Sequence, residues 1–344
     1  MPTEEQVRER LEQVLVPGAM RSLVQLNLVR KVAVSNGKAD IALASAALHP
    51  EVQDWVKARV RDVTRTLPGV KDTEVSFVEA KPQDVNDVRQ VIAVMSGKGG
   101  VGKSLVAGLI GFSLARRGHK VGILDADITG PSIPRMFGLA VRPAGSDTGL
   151  IPVLSRAGIA VMSINLLLEH EDQPVIWRGP LIGSAIKQFW GDVLWGKLDY
   201  LLVDLPPGTA DAPLTVMQSL PVSGVVIVFS PQELAAMVVK KAVNMVRQMQ
   251  VPILGVVENM SYLALPKTGK KMEVFGRSRA EEMVKAVRAP LLARIPIDPE
   301  LARLCDEGNI ERYDSETLDS LAEAFLQATS ARAESASPPL PETR

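Results

Sequence analysis

Between residues 91 and 118 an apolar run, a glycine-rich turn and a helical stretch follow one another without a break. The turn reads Gly97-Lys98-Gly99-Gly100-Val101-Gly102-Lys103-Ser104. Gripping a polyphosphate requires main-chain N–H groups turned inward around the anion. Glycines permit that shape and remove side chains that would obstruct it. The helix that opens at Leu105 and stops at Gly118 adds the partial positive charge of its N-terminus. Lys103 supplies a full charge for the β/γ-phosphates, and the Ser104 hydroxyl is placed to ligate Mg²⁺. Gly97, Gly99 and Gly102 also satisfy the dinucleotide pattern G-x-G-x-x-G. A pyrophosphate turn has no use for the consecutive Lys103-Ser104, whereas a triphosphate–Mg²⁺ site needs both. The candidate nucleotide-binding set therefore runs from Gly97 to Leu105.

Two further strand ends carry carboxylates. Asp204 closes the apolar run 200–203 and precedes Leu205-Pro206-Pro207-Gly208. An acidic residue at the tip of a buried strand beside a phosphate loop holds Mg²⁺ directly or through water. Gly208 is placed to give its N–H to a γ-phosphate. Asp125 and Asp127 end the run 121–124, and on an extended chain they point the same way. One can order Mg²⁺-bound water and the other can orient an attacking water.

Around these motifs, β-branched runs at 91–95, 121–124, 200–203, 225–229, 253–257 and 291–295 alternate with longer helical stretches. That pattern predicts an α/β fold, a mostly parallel sheet covered by helices on both faces. Residues 150–154 and 159–164 read as an inserted hairpin. Before them, residues 1–80 read as a small α+β domain. A capping box begins at Thr3, a hairpin turns at Asn36-Gly37, a helix opens at Pro50 and a strand covers 73–78. Residues 81–90 are polar and read as a linker, 91–328 as the phosphate-binding domain and 329–344 as a disordered tail.

Charge and cysteine content remove whole classes of function. The 39 basic residues balance the 39 acidic ones, which argues against a chain that coats nucleic acid or an anionic membrane. The single cysteine, Cys305, excludes an internal disulfide framework and any all-cysteine metal site within one chain. The N-terminus shows no signal-peptide pattern and no apolar stretch is long enough to span a bilayer, so the expected location is the cytoplasm.

Taken together, the loop with its additional lysine Lys98, the block Leu124-Asp125-Ala126-Asp127-Ile128-Thr129-Gly130-Pro131-Ser132 and the block 199–209 closely resemble the Mrp/ApbC family. These are P-loop ATPases related to MinD, ParA and the nitrogenase iron protein. Arg178-Gly179-Pro180, Val257-Glu258-Asn259-Met260-Ser261-Tyr262 and Ile295-Pro296-Ile297-Asp298 extend the likeness over roughly residues 90–310, and the small N-terminal unit resembles the domain often fused ahead of it. The resemblance implies an ATP- and Mg²⁺-dependent homodimer that carries iron–sulfur clusters and hands them to apoprotein clients or works with cluster-assembly proteins. It makes Lys98 a cation reaching the partner subunit's phosphates, Asp127 the carboxylate that orients water, and Asn259 the adenine contact. No guanine-type N-K-x-D motif is present. One block departs from the family: Leu265-Pro266-Lys267-Thr268 stands where a Cys-x-x-Cys usually follows. Leucine cannot ligate iron and a threonine hydroxyl is a poor soft-metal ligand, so no cluster ligand is identified in this chain. An ATP-gated adaptor, or a MinD/ParA-like switch without cluster carriage, is the alternative.

Overall fold

The structure is a computed structural model that describes residues 2–127, 130, 132–168, 179–208, 211–265 and 269–336. The first unit opens with α1 (Glu4–Leu11), whose N-terminus is closed by reciprocal hydrogen bonds between Thr3 and Gln6. Strands β1 (Val29–Ser35) and β2 (Lys38–Ala44) pair antiparallel through Asn36 and Gly37, both at positive φ, as a two-residue hairpin turn of this hand requires. Helix α2 (Pro50–Arg65) then crosses back, and β3 (Asp72–Val78) joins β2 in parallel. Val7, Leu11, Val56 and Val60 close a core against Ile41 and Leu43.

The second unit is built on β4 (Asp87–Ser96), α3 (Lys103–Arg116), β5 (Val121–Asp125) and α4 (Ile133–Phe137). After them come β6 (Ala144–Ser146), β7 (Gly149–Ile151), β8 (Val153–Leu154), β9 (Ala160–Ser163) and α5 (Gly179–Gly191). Next are β10 (Lys197–Asp204), α6 (Asp211–Ser219), β11 (Gly224–Phe229), α7 (Glu233–Gln248) and β12 (Ile253–Glu258). The chain finishes with β13 (Leu263–Ala264), β14 (Lys271–Met272), α8 (Ala280–Val287), β15 (Leu291–Arg294), α9 (Pro299–Asp306) and α10 (Glu316–Ala336). Eight strands form one sheet in the order β15-β12-β11-β4-β10-β5-β9-β8, parallel except where β8 pairs with β9. Alternation along β4 explains the two faces. Val91, Ala93 and Met95 enter one core with Ile186 and Val246, while Ile92 and Val94 enter the other with Ile110, Leu304 and Phe325. The hairpin expected at 150–164 pairs Val153 and Leu154 with Val161 and Ala160, while Leu150 and Ile151 pair instead with β6, and β9 also extends the main sheet by pairing with β5.

Two expectations need correction. Residues 81–90 are not a free linker. Pro82–Asp84 form a 3₁₀ turn, Val85 is buried in the first unit's core, and β4 starts at Asp87, in register with Lys197. Polar side chains at the strand's start disguised backbone pairing that does not depend on them. The tail also begins later than 329. Helix α10 continues to Ala336, and Thr329 is buried, its hydroxyl donating to the carbonyl of Phe325 at 3.1 Å. Residues 337–344 lie outside the described part.

The two units meet along a buried seam. Arg21 donates to the carbonyls of Trp195 (2.7 Å), Gln25 (3.2 Å) and Lys197 (3.2 Å), and burial lowers its guanidinium pKa to about 10. The Gln25 carbonyl also accepts the Lys197 N–H at 2.9 Å. Gly196, at φ +64°, brings its Cα so close to Gln25 and Leu26 that a Cβ would collide with their backbone.

Candidate phosphate-binding site

The glycine-rich loop joins β4 to α3 at the carboxyl ends of β4, β10 and β5, the edge where open parallel sheets place their ligands. The Ser96 hydroxyl donates to the Lys98 carbonyl at 3.0 Å and so folds the loop's entry. Gly100 and Gly102 both have φ +79°, a left-handed conformation that favours glycine. A Cβ at Gly100 would meet open space, so conformation alone demands glycine there. At Gly102 a Cβ would also strike the Asn259 amide.

Lys103 is the first residue of α3 and is 5% exposed. Its Nζ lies 2.5 Å from Asp204 Oδ1, 3.6 Å from Asp127 Oδ2 and 3.4 Å from Ser104 Oγ. Asp204 and Asp125 are paired across neighbouring strands and fully buried. Asp125 accepts the Asp127 N–H on Oδ1 and the Ser163 hydroxyl on Oδ2, each at 3.2 Å. Burial, reinforced by the Asp204 charge, holds the Asp125 carboxyl well above the ordinary range. Burial also raises Asp204, against the pull of Lys103 and Ser104. Among the described residues, Asp204 Oδ2 is buried without a hydrogen-bond partner.

The site therefore brings Lys103, Ser104, Asp125, Asp127 and Asp204 together, as their spacing suggested. Lys98 stands apart, exposed, with Nζ 3.4 Å from Gln232 Oε1. Gly208 departs from its expected role: its N–H donates to the Ser96 carbonyl at 3.1 Å, so it ties the post-β10 loop to the phosphate loop instead of facing a γ-phosphate. Asn259 is buried, and its amide donates to the Val101 carbonyl at 2.9 Å. Ser96 and Ser163 also hold the site together. Neither has a local signature, since a serine becomes a clamp only when the fold brings a carbonyl or a carboxylate to it. The blocks around Thr129, Arg178 and Thr209 fall partly outside the described residues.

Leu265 sits at the tip of the β13–β14 hairpin, donating its N–H to the Lys270 carbonyl at 3.0 Å; Pro266–Thr268 lie outside the described part. Cys305, on α9, is half-buried against the core that holds Phe325, and burial with the Asp306 charge pushes its thiol up to about 11. Among the described residues no three His, Cys, Asp or Glu side chains converge as a metal-ligand set.

A strand–loop–helix with inward-facing glycines, a buried loop lysine and a carboxylate at the tip of the adjoining strand defines a P-loop NTPase domain. Residues 87–331 match the family model described as NUBPL iron-transfer P-loop NTPase, and the chain belongs to that family. Residues 4–77 match a second model, described as iron-sulfur cluster assembly protein. The chain is 47% identical over 238 residues to the iron-sulfur cluster carrier protein of Clostridium perfringens, covering 67% of this chain and 84% of that one. Its counterpart of the same name in Synechocystis is 40% identical over 322 residues, 90% of this chain and 91% of that one. A solved nucleotide-binding protein from Archaeoglobus fulgidus, in complex with ADP, superposes with a TM-score of 0.61 at 49% identity, over 67% of this chain and 91% of that chain. Among the described residues no helix is long and apolar enough to cross a membrane.

Proposed function

We propose that this protein binds and hydrolyses Mg²⁺-ATP as a homodimer and uses that cycle to carry iron–sulfur clusters to apoprotein clients. The observation that carries the nucleotide reading is the burial of Lys103 between Asp204 and Asp127 at the mouth of the glycine loop. A buried ammonium held by carboxylates is poised to exchange one anion for another. Loop amides from Gly97 to Leu105 take the phosphate oxygens, and Lys103 swings from Asp204 to the β/γ-phosphates. The Oδ2 of Asp204, without a partner among the described residues, the Ser104 hydroxyl and, at one remove, Asp125 fit Mg²⁺, which when bound neutralises charge on the β- and γ-oxygens. Asp127, beside Lys103 and not fully buried, orients the attacking water. Lys98, whose side chain is exposed and turned toward Gln232, serves the partner's phosphates.

The family and the relatives' names support the cluster as cargo; the ligands must then come from elsewhere than the Leu265 hairpin. One observation favours the adaptor alternative: the lone thiol is half-buried and held protonated. Calorimetric titration with ATP and Mg²⁺ tests the nucleotide reading. Anaerobic reconstitution with iron and sulfide, followed by metal analysis, tests the cargo. Stoichiometric iron that survives Cys305→Ser supports carriage through ligands other than that thiol, and no retained iron supports the adaptor.

A further inference from the structure

A phosphate-binding loop turns its amides inward, so its carbonyls face outward into protein. Val101 is 4% exposed, and an outward carbonyl buried there needs a donor. Asn259 supplies it, with Nδ2 2.9 Å from the Val101 oxygen. The same amide occupies the space that a Cβ on Gly102 would take, so loop and side chain are fitted to each other.

Asn259 is itself firmly held. Its N–H donates to the Phe229 carbonyl at 2.8 Å, at the end of β11. The preceding Glu258 is fully buried, and its carboxylate accepts from Ser261 Oγ (2.5 Å), Ser278 Oγ (2.7 Å), the Arg279 N–H (2.7 Å) and Arg294 Nε (3.2 Å). These donors come from the turn after β12, the loop before α8 and the end of β15. The tip of β12 is thereby riveted on several sides and presents one amide to the loop.

We infer that Asn259 is a positioning residue for the phosphates, acting through the Val101 carbonyl to hold the loop in its anion-binding shape. This rests on the nucleotide-binding reading above and gives Asn259 a role independent of the base. The two roles separate with a ligand that has no base. Inorganic tripolyphosphate and ATP, each with Mg²⁺, are titrated calorimetrically into wild type, Asn259→Ala and Asn259→Leu. Loss of one buried hydrogen bond, leaving its carbonyl unsatisfied, is expected to weaken both ligands by roughly tenfold, with stoichiometry unchanged. A normal tripolyphosphate affinity in the variants, with only ATP weakened, would overturn the inference and leave Asn259 a base contact. A fall in stoichiometry at unchanged affinity would also overturn it, because that marks unfolded protein and not a reshaped loop. Failure of wild type to bind either ligand would remove the nucleotide reading itself, and the inference with it.

Discussion

Lys103 and Asp204 form a buried ion pair, Nζ to Oδ1 at 2.5 Å, that closes the phosphate loop onto the tip of β10. The pair sits beside a second buried carboxyl, Asp125, whose pKa is raised by burial and by the Asp204 charge. Removing a single partner from such a group leaves buried charge without compensation.

Lys103→Ala is expected to abolish ATP binding and, without ligand, to cost about 3 kcal/mol near neutral pH. The folded-state pKa values of Asp204 and Asp125 lie above the unfolded value of 3.8. The folded protein therefore holds protons that the unfolded chain releases, and stability falls as pH rises from that value through the folded one. Without Lys103 the folded values rise further and the fall continues to higher pH. Melting temperatures of both proteins between pH 4 and pH 8 check this (about that range, set by the carboxylates). A difference that stays constant across the range contradicts it.

Lys98→Ala should leave ATP affinity near that of wild type, because Lys98 is exposed and its contact with Gln232 is long, at 3.4 Å. Turnover should fall, by roughly 10³-fold if the lysine acts as a cation delivered across the dimer. Steady-state phosphate release decides the matter, and equal turnover in the two proteins refutes the role in trans.

The Cys305 thiol should alkylate slowly. With its pKa pushed up to about 11, the reactive thiolate forms only as pH rises through that value. About 0.1% is thiolate at pH 8. Iodoacetamide labelling followed by mass spectrometry should show a rate still climbing above pH 10, and a plateau below pH 9 would expose a perturbed, ligand-like thiol.

Gly196→Ala should pry the two units apart, since the new methyl meets the backbone of Gln25 and Leu26 at a position already at φ +64°. Arg21→Ala should act in the same direction by leaving the Trp195 and Lys197 carbonyls without their donor. Each should cost roughly 2–3 kcal/mol. Limited proteolysis should then cut within 81–90 in the variants and spare wild type.

Local pattern made most of the second unit legible. The β-branched runs at β4, β10, β11 and β12 are buried on both sides, and such runs resemble little else. The loop from Gly97 to Ser104 was equally plain, because its chemistry is encoded in consecutive residues. What escaped was non-local. Asp87 and Arg89 look like linker residues until Lys197 and its neighbours pair with their backbone. Ser163 meets Asp125 only because β9 lies beside β5. Gly208 suggested a phosphate donor by its position after Asp204, yet the turn delivers its N–H to Ser96. Asn259 was legible as important and not as a contact of Val101, since nothing in the order of residues fixes which carbonyl a side chain will find.

Strand β10 runs from the seam with the first unit to the phosphate loop. At Lys197 it receives Arg21 from the small N-terminal unit, and at Asp204 it ends against Lys103. At ~3.3 Å per residue this strand is a ruler of about 23 Å. The point where Arg21 grips the strand is thereby set at that remove from the Asp204 carboxylate beside the phosphate loop.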